Sequence, residues 1–147
     1  MDINELKKKI FSKEYMPVKV VVAIILILLL LVGMSNQRKK KLVDKIFSAV
    51  SENSYTAIEK YSGKEIDFIA KVSSISANGH SIGVISVDAD VFLVTDYITC
   101  SISTDKDKKV LSKLKSGDKV EIKGVLTIQS ASLWKSYTVD VESIKKK

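Results

Sequence analysis

Few residues of this chain are of the types that carry out catalysis. It contains one histidine, His80, and one cysteine, Cys100. His80 directly follows the turn-forming pair Asn78-Gly79, so we expect it to be exposed, and no nucleophile motif accompanies it. Cys100 alternates with two isoleucines in a strand-like pattern, which predicts a buried structural thiol. We therefore predict no catalytic residues and a protein that is not an enzyme.

The chain also has few residues that could bind a metal ion or form a disulfide. A single cysteine and a single histidine allow neither an internal disulfide nor a Cys/His zinc site. The aspartates Asp88, Asp90 and Asp96 do not have the spacing of an EF-hand calcium loop, and aspartates are common in turns. No Gly-rich phosphate loop is present. The sequence thus predicts no metal site and no cofactor.

Ligand binding is the chemistry that the sequence favours. An aromatic ring beside a groove can stack on a base or a sugar, and polar neighbours can hydrogen-bond the same ligand. The candidate ligand-binding residues are Asn78, His80, Ser81, Phe92, Tyr97 and Trp134. In so small a chain, Tyr97 and Trp134 are also expected to lie partly in the core. Whether these residues form one site depends on the elements that carry them.

The net charge of +7 invites a nucleic-acid interpretation, but the charge is carried mainly by the ends of the chain. Residues 42–144 contain 12 lysines and 14 acidic residues, a net charge of −2. A protein that neutralises phosphates needs a concentrated basic face, because the release of counterions supplies most of its non-specific affinity. This composition disfavours a nucleic-acid partner and leaves only a local basic patch as an alternative.

An apolar segment near the N-terminus is long enough to cross a membrane. Residues 20–32 contain no polar side chain, and the stretch extends to 16–34 if the Lys19 ammonium reaches the headgroups. Those 19 residues would span about 28 Å as a helix, against roughly 30 Å of hydrocarbon. We predict a transmembrane helix over 16–34 after a short basic tail over 1–15. A cleaved signal peptide is the alternative, disfavoured by the long polar N-terminal region and by the basic run that follows.

The basic residues around this segment do not determine its orientation, because five lie on each side of it. They can contact anionic headgroups on either side. The predicted headgroup contacts are Lys19, Arg38, Lys39, Lys40 and Lys41.

The next segment, 35–61, is predicted to be a basic juxtamembrane segment and a helical stalk. Leu42, Ile46 and Val50 recur at a spacing of four, which is typical of an amphipathic helix. Polar residues over 51–54 favour a helix end, and a short second helix is expected over 55–60. A stripe at helical spacing is more often packed than free, so we expect it to cover the domain that follows.

After Gly63 the hydrophobic period changes from helical to two, which is typical of strands. Strands are expected over 65–72, 80–87, one or both of 91–94 and 98–102, 119–128, and 134–144. Thr104 looks like the cap of a short helix before the fourth strand. Five strands with one helix between the third and fourth predict an all-β small barrel, the OB-fold, over 62–147.

Several motifs in this domain resemble the bacterial tRNA-anticodon-like family of OB-fold proteins. They are the sequence YSGK over 61–64, the strand over 66–75, ITCSI over 98–102 and LSKLKSGDKVEIKG over 111–124. The resemblance covers about 42–144 and its motifs are structural: Gly117 looks like a turn glycine and Gly124 like a strand kink. Relatives often join a cysteine like Cys100 to one near the end of the fifth strand, where this chain has Glu142, so that bridge is absent.

The resemblance also bears on location and function. Many members place the domain after a transmembrane helix or lipoprotein signal and outside the cytoplasm, which implies a cytoplasmic N-terminus and an extracytoplasmic barrel. OB-folds commonly bind ligands on the face of the second and third strands. We therefore expect a single-pass, membrane-anchored interaction module for a protein or a cell-envelope glycan. The alternative, suggested by the fold and the basic ends, is a cytoplasmic module that binds single-stranded nucleic acid.

Overall fold

The computed structural model describes residues 18–91 and 96–147. The helices are α1 (Val18–Glu52), α2 (Ser54–Tyr61) and α3 (Asp105–Leu111). The strands are β1 (Lys64–Ile75), β2 (Ser81–Ile85), β3 (Ile98–Ser101), β4 (Lys119–Ala131) and β5 (Trp134–Lys146). The chain divides into two compact units, Met1–Ser35 and Asn36–Lys147.

The predicted membrane segment and stalk share one helix, α1, of 35 residues. No proline occurs within it, and its one glycine, Gly33, lies in open space, so nothing interrupts the backbone hydrogen bonds. The apolar side chains over 18–34 are all exposed. By length and composition, this helix could cross a membrane.

The five strands form a closed barrel in the order β1-β2-β3-β5-β4. Neighbouring strands are antiparallel except β3 and β5, which are parallel, with Ile98 opposite Tyr137. A five-stranded Greek-key barrel of this kind, with a helix between the third and fourth strands, is an OB-fold. The predicted fold class is therefore confirmed: an OB barrel preceded by a long helix.

The apolar stripe of α1 packs against the barrel as predicted. Val43, Ile46 and Val50 are at most 1% exposed and belong to the same core cluster as the inward-facing side chains of the strands. Phe47 meets Tyr137 of β5 edge to face, with ring centroids 4.8 Å apart. Asn53 then caps α2, because its side-chain oxygen accepts a hydrogen bond from the Thr56 amide.

The sequence left two possibilities for the third strand, 91–94 and 98–102, and the structure describes a strand in the second. β3 is only Ile98–Ser101, Val91 lies in a turn, and residues 92–95 lie outside those that the structure describes. β2 is also shorter than predicted and ends at Ile85, although Ser86 and Val87 remain buried. The hydrophobic pattern continued past the point where backbone pairing stops.

Both glycines singled out in the sequence have the structural roles expected of them. Gly117 has φ +88°, in the left-handed region that favours glycine, just before β4. Gly124 lies at a register shift between β4 and β5, where a Cβ atom would overlap the carbonyl oxygen of Asp140. Thr104 is the N-cap of α3 and accepts a hydrogen bond from the Asp107 amide, also as predicted.

Candidate functional site

The predicted ligand-binding residues fall at the two ends of β3. β2 runs antiparallel to β3, with Ser81 opposite Ser101 and Val84 opposite Ile98. His80 therefore lies beside the end of β3, whereas Tyr97 directly precedes its start; four residues of strand, roughly 13 Å, separate the two ends. Because β3 and β5 are parallel, Trp134 at the start of β5 lies towards the Tyr97 end. Phe92 lies outside the described residues.

At the His80 end, the outer surface forms an open depression of about 490 Å³, called the polar depression here. Its lining residues are His80, Ser81, Ser101, Ile102, Ser103, Asp140 and Val141. The strand register places Ser81, Ser101 and Asp140 side by side across β2, β3 and β5. Such neighbours have Cβ atoms about 5 Å apart. Hydroxyl and carboxylate oxygens in a row can hydrogen-bond the hydroxyl or amide groups of a ligand.

Asn78 supports this site through the backbone. Its side-chain oxygen accepts hydrogen bonds from the Ser76 hydroxyl (2.7 Å) and from the His80 amide (3.1 Å). The His80 carbonyl in turn accepts from the Ile102 amide at 2.8 Å. These contacts hold the turn between β1 and β2 and position the exposed His80 at the rim of the polar depression.

At the other end, Tyr97 and Trp134 are each 54% exposed, so about half of each side chain is free for contact. The Tyr97 ring lies against β2 at Gly83, where an added Cβ would be 3.6 Å from the ring and 2.6 Å from the Ser74 hydroxyl oxygen. Trp134 opens β5 opposite Ala131, and its neighbour Leu133 is 96% exposed. We call Leu133 and Trp134 the hairpin tip.

The predicted ligand-binding residues did not include three polar residues that line the polar depression: Ser101, Ser103 and Asp140. The alternation of Ile98, Cys100 and Ile102 already indicated that Ser101 faces outward. Asp140 could not be assigned in the same way, because its place beside Ser101 comes from the parallel pairing of β3 with β5. A sequence period shows which face a residue occupies, but not its neighbour across the sheet.

A cluster of charged side chains joins α1 to the barrel. The Lys39 ammonium donates to Asp67 Oδ2 and to Glu121 Oε1, each at 2.6 Å, and the Lys147 ammonium lies 2.6 Å from Glu121 Oε2. We call these four residues the ion-pair cluster. The hydrogen bonds from Lys147 and Lys39 lower the pKa of Glu121 to about 2. The two carboxylates likewise raise the pKa of Lys39.

The predicted headgroup contacts therefore differ in their surroundings. Lys39 already has two carboxylate partners, and its side chain is 23% exposed. Lys19, Arg38 and Lys41 are exposed, and Lys40 is half-buried. Whether these residues contact lipid stays a prediction.

Groups that could react are few in the part of the chain that the structure describes. Cys100 is fully buried, and burial raises the pKa of its thiol, which keeps the less reactive protonated form. Within residues 18–91 and 96–147, no group of three His, Cys, Asp or Glu side chains is placed to hold a metal ion. Among the described residues, no hydrogen-bond partner meets the buried Tyr137 hydroxyl, and its burial, together with the charge of Asp96, raises its pKa.

No family model matches the sequence, and a comparison with curated proteins gives no match. Among solved structures, the barrel is similar to the OBody NL8 bound to hen egg-white lysozyme, with 18% identity over 57% of this chain and 93% of that chain, and a TM-score of 0.46. A small single-stranded DNA-binding protein from Streptomyces coelicolor is 16% identical over 58% of this chain and 94% of that chain, with a TM-score of 0.42. The asparaginyl-tRNA synthetase from Pyrococcus horikoshii is 15% identical over 59% of this chain and 20% of that chain, with a TM-score of 0.41. At these values, the likenesses carry no argument about the ligand, and the OB-fold rests on the strand order and closure of the barrel itself.

Proposed function

We propose that this protein is a non-enzymatic, single-pass membrane protein of the tRNA-anticodon-like OB-fold group, whose barrel binds a protein or a cell-envelope glycan outside the cytoplasm. The membrane part is supported by the length and composition of α1. The binding part is supported by the polar depression on the outer surface of β2, β3 and β5, the surface on which OB-folds commonly bind ligands.

The observation that carries this choice of ligand is the chemistry of the polar depression. Its described lining offers three serine hydroxyls, an imidazole and the Asp140 carboxylate, with neither lysine nor arginine among them. A phosphodiester needs cationic partners, and a carboxylate in the site repels it. A glycan or a peptide backbone instead presents hydroxyl or amide groups that these oxygens can bind. The lining therefore favours a ligand without phosphate groups.

The location is tested by labelling a cysteine on the barrel in intact cells. Leu133→Cys places a thiol where the side chain is 96% exposed, and Cys100 can remain because it is fully buried. An impermeant thiol reagent should label Leu133→Cys in intact cells, with the unsubstituted chain as the control. Labelling only after lysis would place the barrel in the cytoplasm and contradict the proposal.

The ligand class is tested with the full chain in detergent and two probes, isolated bacterial wall sacculi and a 20-nucleotide oligothymidine. If the wall glycan is the ligand, sacculi should retain the protein, and Asp140→Asn should reduce retention. Glu142→Gln is the matched control, because it removes an exposed carboxylate from the same strand outside the polar depression. Oligothymidine binding that weakens steeply with salt would support the nucleic-acid alternative instead.

A further inference from the structure

Two basic runs from opposite ends of the domain meet at one carboxylate. Glu121 accepts a hydrogen bond from Lys39 at Oε1 and lies 2.6 Å from the Lys147 ammonium at Oε2. Lys39 belongs to the basic run 38–41 that follows the apolar segment, and Lys147 belongs to the basic run 145–147. The fold therefore makes these two runs neighbours on the surface, although they are more than 100 residues apart in the sequence.

The same end of the barrel also carries α3 and the start of β4. The Ile144 amide donates to Asp107 Oδ1 of α3 at 3.4 Å, and Val120 pairs with Lys146. Between Thr104 and Val120 the chain has six lysines: Lys106, Lys108, Lys109, Lys113, Lys115 and Lys119. At the opposite end of the barrel, near the hairpin tip, the Lys135 ammonium lies 3.5 Å from the Ser51 hydroxyl.

Some of these charges are already neutralised and others are not. Lys39 and Lys147 pair with the carboxylates of the ion-pair cluster, and Lys146 pairs with Asp118 at 2.7 Å. Within the described residues, Arg38, Lys40, Lys41 and Lys145 make no ion pair, and three of the four are exposed. Internal pairs thus hold the two runs together while their outermost charges stay available.

We propose that residues 38–41 and 145–147 form one composite surface that binds the headgroups of anionic lipids. This inference rests on the membrane anchor of the proposed function. If 16–34 spans the bilayer, the four residues from Met34 to Arg38 reach at most about 14 Å even when fully extended. Arg38 then stays within that distance of the headgroups, and anionic headgroups attract basic residues near the membrane surface, an attraction that salt screens.

Proximity also favours lipid over nucleic acid as the partner of this surface. The tether would keep the bilayer within reach at all times, whereas an oligonucleotide would have to compete with the membrane for the same charges. Anchoring by the apolar segment alone would not need the lysines over 145–147, whereas this arrangement gives them a function. The C-terminal run would add a second point of membrane attachment to the barrel.

The test is amine labelling of the full chain in nanodiscs, with mass spectrometry to measure the reactivity of each lysine. Nanodiscs of phosphatidylcholine are compared with nanodiscs that contain about one third phosphatidylglycerol. We expect the reactivity of Lys41 and Lys145 to fall several-fold in the anionic discs and to recover at high salt. Lys135, at the other end of the barrel, is the internal control and should not change. Equal changes at all three lysines, or no change at Lys41 and Lys145, would overturn the inference.

A charge-reversal pair tests whether the two runs act together. Lys145→Glu should restore several-fold reactivity at Lys41 in anionic discs, whereas Lys135→Glu should leave it protected. Protection of Lys41 that survives Lys145→Glu would overturn the composite surface. Protection by oligothymidine in phosphatidylcholine discs, without protection by anionic lipid, would do the same. Failure of the chain to enter nanodiscs at all would instead disprove the membrane anchor, so the two failures are distinguishable.

Discussion

The helix segment over 36–52 is attached to the barrel by two kinds of contact. Near its middle and end, Val43, Ile46 and Val50 are buried in the common core. Nearer its start, Lys39 is held by Asp67 and Glu121 at a partly exposed position. Burial of a large aliphatic side chain contributes about 1.5–3 kcal/mol, whereas partly exposed ion pairs contribute about 0–1 kcal/mol. We infer that apolar packing supplies the stability of this attachment, and that the ions make it sensitive to pH and salt.

The largest effect is expected from cutting the apolar contact. Ile46→Ala should destabilise the barrel by about 2–5 kcal/mol, because Ile46 is fully buried and its truncation leaves a cavity. Urea unfolding of the full chain in detergent, followed by circular dichroism, measures the loss. Ile25→Ala is the matched control, since Ile25 is 51% exposed and lies outside the barrel unit. A similar loss of barrel stability in both variants would contradict the inference that apolar packing against the barrel supplies the stability of this attachment.

A smaller effect, and one that depends on pH, is expected from the ion-pair cluster. The pKa of Glu121 is about 2 in the folded protein against an ordinary value of 4.5. Its contribution is therefore complete above about pH 4.5 and is lost as the pH falls towards 2. Glu121→Gln should cost about 1 kcal/mol at pH 7 and progressively less below pH 4.5. Urea midpoints between pH 7 and pH 2.5 test this, and a constant difference across that range would contradict it.

The hairpin tip should matter even less for stability. Trp134→Ala should change the free energy of unfolding by no more than about 0.5 kcal/mol, because the side chain is 54% exposed at a strand end. Thermal unfolding followed by circular dichroism checks this. An unchanged melting temperature would make Trp134→Ala a clean probe of ligand binding. A marked drop would instead assign Trp134 to the core.

The smallest effect is expected from an ion pair that lies open to water. Lys123 is 3.1 Å from Glu65, and both side chains are about half exposed. The Glu65 hydrogen bond raises the pKa of Lys123, but solvent screens the pair. Lys123→Gln should leave the melting temperature unchanged within measurement error. If Lys123→Gln were as costly as Glu121→Gln, partial burial would not be what distinguishes the two ion pairs.

The sequence predicted correctly those features of the fold that a local pattern determines. The stripe through Ile46, the cap at Thr104 and the inward position of Cys100 are all confirmed, because each depends on a few neighbouring residues. The joining of α1 into one helix also follows from a local property, the absence of a breaker between Met34 and Leu42.

Contacts between distant residues could not be predicted in this way. The convergence of Lys39 and Lys147 on Glu121, and the position of Asp140 beside Ser101, depend on strand pairing that no single segment encodes. The candidate ligand residues illustrate the same limit. Their types were recognised, but the sequence did not show that the four residues of β3 separate His80 from Tyr97.

The parallel pairing of β3 with β5 also has a consequence for biosynthesis. β5 is the last of the five strands in the chain, and the barrel cannot close until it pairs with β3. Translation proceeds at about 5–20 residues per second, so several seconds separate the synthesis of the apolar segment from that of β5. The helix thus leaves the ribosome long before the barrel can form. If the helix is inserted into the membrane as it emerges, the barrel folds while it is already tethered. Until β5 is made, one edge of β3 has no strand to pair with.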